Sequence, residues 1–188
     1  MLLDSATVKT STMESWFAEN TSGRRVLLAF IVTALGSSWF GYLHTGLEEL
    51  VGPDLAKIPD TMPWLSPDVL FGTFAELGQE GRDFYIFGLY TDFIYPLTYW
   101  IFMGLLYSLA VKRSGQHGTR LVWFPTALML CDQIENIAFL FVVSWWPEKL
   151  WVMAVIGCLA HGAKWFCALP SLVLMFRCAY EVLRPQRS

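Results

Sequence analysis

The sequence predicts an all-α integral membrane protein. Its expected form is a four-helix bundle with both termini on the cytoplasmic side and a short amphipathic interfacial helix between helices 1 and 2. Three observations carry this. The chain is 55% hydrophobic, with mean hydropathy +0.44, and only 15% of its 188 residues are charged, against about 25% in soluble globular chains. Its apolar residues fall in four long blocks rather than short alternating runs, and a membrane-spanning helix needs roughly 20 such residues. Its Lys and Arg residues alternate between connecting segments as the positive-inside rule requires. The length suits a single transmembrane domain, 1–188.

Residues 1–23 are polar and carry no apolar signal-peptide region. Within them, 11–17 is expected to form a short helix on the membrane surface. The first apolar block, about 26–47, is helix 1. After it, "GPDLAKIPDTMPW" is rich in proline and reads as an irregular loop. "SPDVLFGTFAELG" then opens like a helix, with Ser66 as N-cap, Pro67 at the first position and Asp68 in the first turn. Leu70, Phe74 and Leu77 share one face, which predicts an amphipathic interfacial helix at about 67–78. "GQEGRDFY" leads into helix 2, about 84–111. Helices 3 and 4 occupy about 121–146 and 151–176, and Trp145, Trp146 and Trp151 bracket the turn between them. Nine Lys and Arg fall on the side of the termini and three (Lys57, Arg82 and Lys149) on the other. The thirteenth, Lys164, lies inside helix 4.

Several ionisable residues lie within the spans, where each costs a few kcal/mol on insertion scales. Helix 2 has Asp92. Helix 3 has "DQIEN", with Asp132, Glu135 and Asn136 at i, i+3 and i+4, so they share a face. Helix 4 has His161 and Lys164 at i, i+3. Tyr85, Asp92 and Tyr99 repeat every seven residues along one stripe of helix 2, flanked by Thr91 and Tyr95. If each block's midpoint is the bilayer centre, Asp132 and Lys164 lie near the midplane. Glu135 and His161 lie about 3–6 Å outward and Asp92 roughly 8 Å outward, at 1.5 Å rise per residue. The groups therefore occupy one layer and are expected to meet in a polar chamber among helices 2, 3 and 4. Three carboxylates there face one lysine and one histidine. A dry site does not hold such an imbalance cheaply, so a proton, a cationic ligand or water is expected to offset it. Arg82, at the outer mouth of helix 2, is a further source of positive charge. Pro96 and Pro170 each remove a helix hydrogen bond and can kink their spans. Gly36, Ser37 and Gly41 on helix 1, and Gly157 with Gly162 on helix 4, are expected at close helix contacts.

Other chemistries find no support in the residues. The four cysteines lie in the apolar blocks or, for Cys178, just past the last of them, without a C-x-x-C pair, so neither a zinc site nor a disulfide framework is indicated. No Glu-x-x-His, phosphate-binding loop or dinucleotide motif is present, and no metal or cofactor is expected. A net charge of −3 argues against nucleic acid as a partner. The partners expected are membrane lipids, with a membrane-protein partner or a homodimer also open.

Two resemblances attach to these residues. "LGQEGRDFYIFGLYTDFIYPLTY", "DQIEN" and "AKW" together resemble a widespread group of small four-helix membrane proteins without an established activity. Its pattern runs G-x-E-G-R-x-x-Y, D-x-x-x-P-x-x-Y, D-x-x-E-N and K-W, and it covers residues 78–165, including Arg82 and Trp165. More loosely, the topology and an acid shortly before a proline in helix 2 are similar to the EXPERA class of sterol isomerases and the sigma-2 receptor. There, intramembrane acids bind amine-like or carbocation-like lipids. That resemblance implies Asp92 and Glu135 as cation-stabilising acids and His161 as a proton shuttle.

Two functions stay open. In the first, the chamber binds or transforms an amphipathic, lipid-like ligand. Asp92, Asp132 and Glu135 handle charge or protons, Lys164 pairs with one of them, and Tyr85, Tyr95, Tyr99 and Asn136 position polar atoms. The ligand would enter between helix 2 and the 67–78 helix. In the second, the chain is a non-catalytic subunit of a respiratory, ATP synthase or photosynthetic complex, and the polar cluster is packing glue or a lipid-headgroup site. The residues leave open whether the protein is an enzyme.

Overall fold

The computed structural model describes residues 12–115 and 120–184, and among these every regular element is helical. In chain order they are α1 (Thr12–Asn20), α2 (Gly23–Val51), α3 (Pro67–Glu76), α4 (Gly78–Asp92), α5 (Tyr95–Arg113), α6 (Trp123–Ser144) and α7 (Trp151–Leu183). A 3-10 turn at Pro59–Thr61 lies in the loop between α2 and α3, and a second at Arg120–Val122 precedes α6. Four stretches are long and apolar enough to cross a membrane: Gly23–Val51, Gly78–Arg113, Arg120–Ser144 and Trp151–Leu183. They fit a polytopic membrane protein. The large apolar side chains of α2 and α7, such as Leu35, Leu159, Phe166 and Phe176, point outward, as they must where the solvent is hydrocarbon.

Helix 2 of the sequence reading is not one continuous helix. It divides into α4 and α5 at Phe93 and Ile94, just before Pro96. Proline has no N–H and its ring crowds the preceding turn, and here the regular bonds give way: the Ile94 amide turns to the Thr91 carbonyl and the Leu97 amide to that of Ile94. Pro170, by contrast, lies inside an uninterrupted α7.

The α3 helix begins as its sequence requires. The Ser66 side chain accepts a hydrogen bond from the Val69 amide, with Pro67 at the first helical position. Its apolar face is turned to protein: Leu70, Phe71 and Phe74 are buried, Phe71 against Trp151 of α7 and Phe74 against Tyr85 of α4. α3 runs directly into α4 through Gly78, whose φ of +66° is a left-handed conformation that a Cβ would strain.

The α1 helix is docked rather than isolated. Phe17 is fully buried over Gly104 of α5, where an added Cβ would run into the ring. Trp123 Nε1 donates to Glu14 from α6 at 2.9 Å, and Thr21 Oγ1 donates to the Leu105 carbonyl at 2.8 Å.

α6 and α7 pack along their lengths. They come close at Gly157, where an added Cβ would meet the buried Phe139 ring at 2.6 Å. Gly36 likewise makes room for Tyr95. Gly41 and Gly162, grouped with these in the sequence reading, have no heavy atom within 4 Å of where a Cβ would be, so they are not close-packing positions. Overpacking a tight core costs about 1–3 kcal/mol. Gly157→Ala is therefore expected to destabilise the bundle by that amount, and Gly162→Ala to be near neutral, in paired unfolding measurements in detergent.

Candidate functional site

The site starts from the helix break. Without an N–H at Pro96, the Asp92 carbonyl loses its i+4 donor. The Leu97 amide turns to Ile94 instead, which frees the Phe93 carbonyl too. α6 supplies both missing donors: Asn136 Nδ2 donates to the Asp92 carbonyl at 3.1 Å and Gln133 Nε2 to the Phe93 carbonyl at 2.8 Å. Buried main-chain carbonyls need such partners. Gln133 and Asn136 thus fix the break, and with it the position of Asp92.

The other two polar residues of "DQIEN" hold α7. Lys164 Nζ lies 2.6 Å from Glu135 Oε2 and donates to Asp132 Oδ1 at 3.3 Å. The shorter contact is the closer of the two ion pairs that Lys164 makes. Asp132 Oδ2 also accepts from the Tyr99 hydroxyl at 3.0 Å. His161 Nδ1 is 2.9 Å from Glu135 Oε1, and its Nε2 donates to the Met62 carbonyl at 2.6 Å. With Nε2–H committed to a carbonyl, Nδ1 and Oε1 share a single proton. The His161–Glu135 pair is then neutral overall whichever atom holds it. Lys164 and Asp132 likewise cancel.

Two acids stand outside this balance. Asp92 lines the cavity described below, and so does Asp60, from the 3-10 turn at Pro59–Thr61. Asp60 accepts a hydrogen bond from Tyr85 at 2.7 Å. Among the described residues neither acid has a Lys, Arg or His nitrogen within ion-pair distance. The exposed part of Asp60 looks into the cavity, and burial dominates its surroundings. Its carboxyl is pushed up from 3.8 to about 6, first by burial and then by the charge of Glu135, with Lys164 opposing.

The cavity has two lobes. The first, about 530 Å³, lies between α2, α4 and the 52–66 loop, and its wall includes Phe40, Phe84, Tyr85, Asp60 and Asp92. The second, about 640 Å³, lies between α2, α5 and α7. Ser37, Asp60, Thr61, Tyr95, Asp132 and Lys164 belong to both, so the two lobes share the polar cluster as a common wall. Tyr95 reaches across this junction to Ser37 at 2.8 Å.

The chain matches no family model, no curated protein and no solved structure.

The structure brings together Asp92, Asp132, Glu135, Asn136, His161, Lys164, Tyr85, Tyr95 and Tyr99. They take unequal places. Glu135, Asn136 and His161 are closed off behind the wall, at 0%, 0% and 1% exposure. Asp92, Asp132, Lys164 and the three tyrosines line one or both lobes. Trp165 is half exposed and edges the second lobe, 6.3 Å from the His161 ring. Arg82 stands apart: it donates to the Phe74 carbonyl at 2.8 Å, and its guanidinium lies over Trp146. It brings no charge to the cavity wall.

Sequence reasoning missed Asp60 and the Met62 carbonyl. Both lie in the proline-rich loop, which folds back onto Tyr85 of α4 and His161 of α7. The only available signal was an acid set between prolines in "IPDTMP", and nothing local states where such a loop comes to rest.

Proposed function

We propose that the chamber binds the cationic head of an amphipathic, lipid-like molecule. One observation supports this above the others: Asp60 and Asp92 face a cavity without a basic partner, while the carboxylates behind them are already balanced by Lys164 and His161. Buried unpaired carboxylates are costly, and a cation between them relieves that cost. Phe40, Phe84, Tyr85 and Tyr95 line the same space, and aromatic faces attract ammonium groups, more so when desolvated. The likeness to the EXPERA class points the same way. The ion cluster on α6 and α7 acts in this reading as the rigid support of the head site, which is the glue role restricted to one seam.

The test is binding of a trace dodecyltrimethylammonium probe to the protein in neutral maltoside micelles. Asp60→Asn and Asp92→Asn are each expected to weaken it by about tenfold or more, the scale of one lost charge contact, without loss of folding. Equal affinity for dodecanol, or an unchanged affinity in the double variant, would refute the proposal and leave the cluster as packing alone.

The pH dependence has a definite sign. A cation binds the ionised carboxylate, so affinity rises as pH increases through about 6, the value of Asp60. The ligand-free fold behaves oppositely. Because Asp60 holds its proton more tightly folded than unfolded, its contribution to stability is complete below about 4 and is lost as pH rises through about 6. Thermal stabilisation by the probe is therefore expected to be larger at pH 7 than at pH 5, and Asp60→Asn to reduce that difference.

A further inference from the structure

We infer that the second lobe seats the hydrocarbon tail of the same ligand, and that the ligand enters it sideways from the membrane between α2 and α7. This rests on the head-group reading above. It differs from the route expected from sequence, between helix 2 and the α3 helix, because the apolar face of α3 is filled by protein.

Three observations carry it. First, the lobes adjoin at the polar cluster: the second begins at Asp60, Asp132 and Lys164 and becomes apolar away from them, bounded by Thr33, Ala34, Phe102, Ala168, Leu172 and Met175. Charge therefore lies at one end and hydrocarbon at the other, the polarity of an amphiphile. Second, among the described residues α2 packs on α4 and α5 and forms no extended seam with α7, so this side of the bundle is left unsealed. In a bilayer no hydrophobic effect drives such a seam shut, since lipid tails are as apolar as the side chains. Third, the lobes are stacked along α2. The first borders residues 37–47 and the second residues 30–37. The span from Phe30 to Leu47 is about 26 Å at 1.5 Å per residue, close to the roughly 30 Å of a hydrocarbon core. A ligand with its head at Asp60 and Asp92 has its tail parallel to the helices, as it lies in the membrane.

The test uses two probes on the protein in neutral maltoside micelles. One is a long-chain trimethylammonium with a diazirine at the chain end. The other is tetramethylammonium, which has the head and no tail. The tailed probe is expected to label residues 30–37 and 165–175. Ala168→Trp, or Thr33→Trp if the first fails to fold, is expected to weaken the tailed probe by about tenfold or more. Stabilisation by tetramethylammonium should persist in either variant, which also certifies the fold; Ala168→Leu should give an intermediate loss. Unchanged affinity of the tailed probe in both tryptophan variants, or labelling confined to other segments, overturns the inference while leaving the head site standing. Equal labelling of the lobe by a neutral alcohol of the same chain overturns the head-group reading, and with it the identity of this occupant.

Discussion

Lys164→Met is expected to lower the stability of the bundle by about 3–5 kcal/mol, the typical cost of removing one partner from a buried ion pair. Lys164 is the only amine in contact with Asp132 and Glu135 among the described residues, at 3.3 and 2.6 Å. His161 still shares its proton with Glu135, so the residual charge falls chiefly on Asp132. That carboxylate would keep only the Tyr99 hydroxyl as a partner. The cost belongs to the stranded charge more than to the lost contact. Lys164→Met combined with Asp132→Asn is therefore expected to be more stable than Lys164→Met alone, a non-additive outcome that a double-mutant cycle measures. Denaturant unfolding in mixed micelles reads it directly. If the double variant is the sum of the two singles, the two residues are not the coupled pair that their geometry implies.

Asn136→Leu is expected to cost about 1–3 kcal/mol, the penalty for leaving a buried carbonyl without a donor. The lower part of that range is expected, because Asn136 Oδ1 itself has no partner and its removal offsets some of the loss. The decisive comparison is in a Pro96→Ala background. That substitution restores the N–H that Pro96 lacks, and the new N–H can take over the Asp92 carbonyl. Asn136→Leu is then expected to cost clearly less than it does beside Pro96. Equal costs in the two backgrounds would mean that Asn136 serves the cluster in some way other than closing the break. The same pair bears on the head site, since a straightened helix carries Asp92 to a new angle. Pro96→Ala should weaken cation binding even where it spares folding.

The contacts behind these two expectations explain a spacing that is legible but mute in the sequence. In "DQIEN" the four polar residues divide into two pairs with different tasks. Asp132 and Glu135 face Lys164, while Gln133 and Asn136 reach the carbonyls at the break. Helical periodicity puts Asp132, Glu135 and Asn136 on one face, but it does not say which neighbour each will meet. Asn136 was therefore expected to position ligand atoms, and in the fold it is sealed behind the wall. Gln133 was not singled out at all.

What the sequence determined by itself was whatever depends on local pattern and solvent. Four apolar runs, a capped helix start at Ser66 and an acid–base set on three spans follow from residue order, because hydrogen bonding and burial along a helix are repeated every turn. What only the tertiary structure decided was partnership over distance. The proline-rich loop brings Asp60 to Tyr85 and Met62 to His161 from segments 25 and 99 residues away in sequence, Phe17 finds Gly104, and Arg82 is drawn to Phe74 and Trp146 instead of the chamber. Such contacts depend on where rigid helices leave space, and that space is set by the packing of the whole bundle rather than by any one stretch of chain.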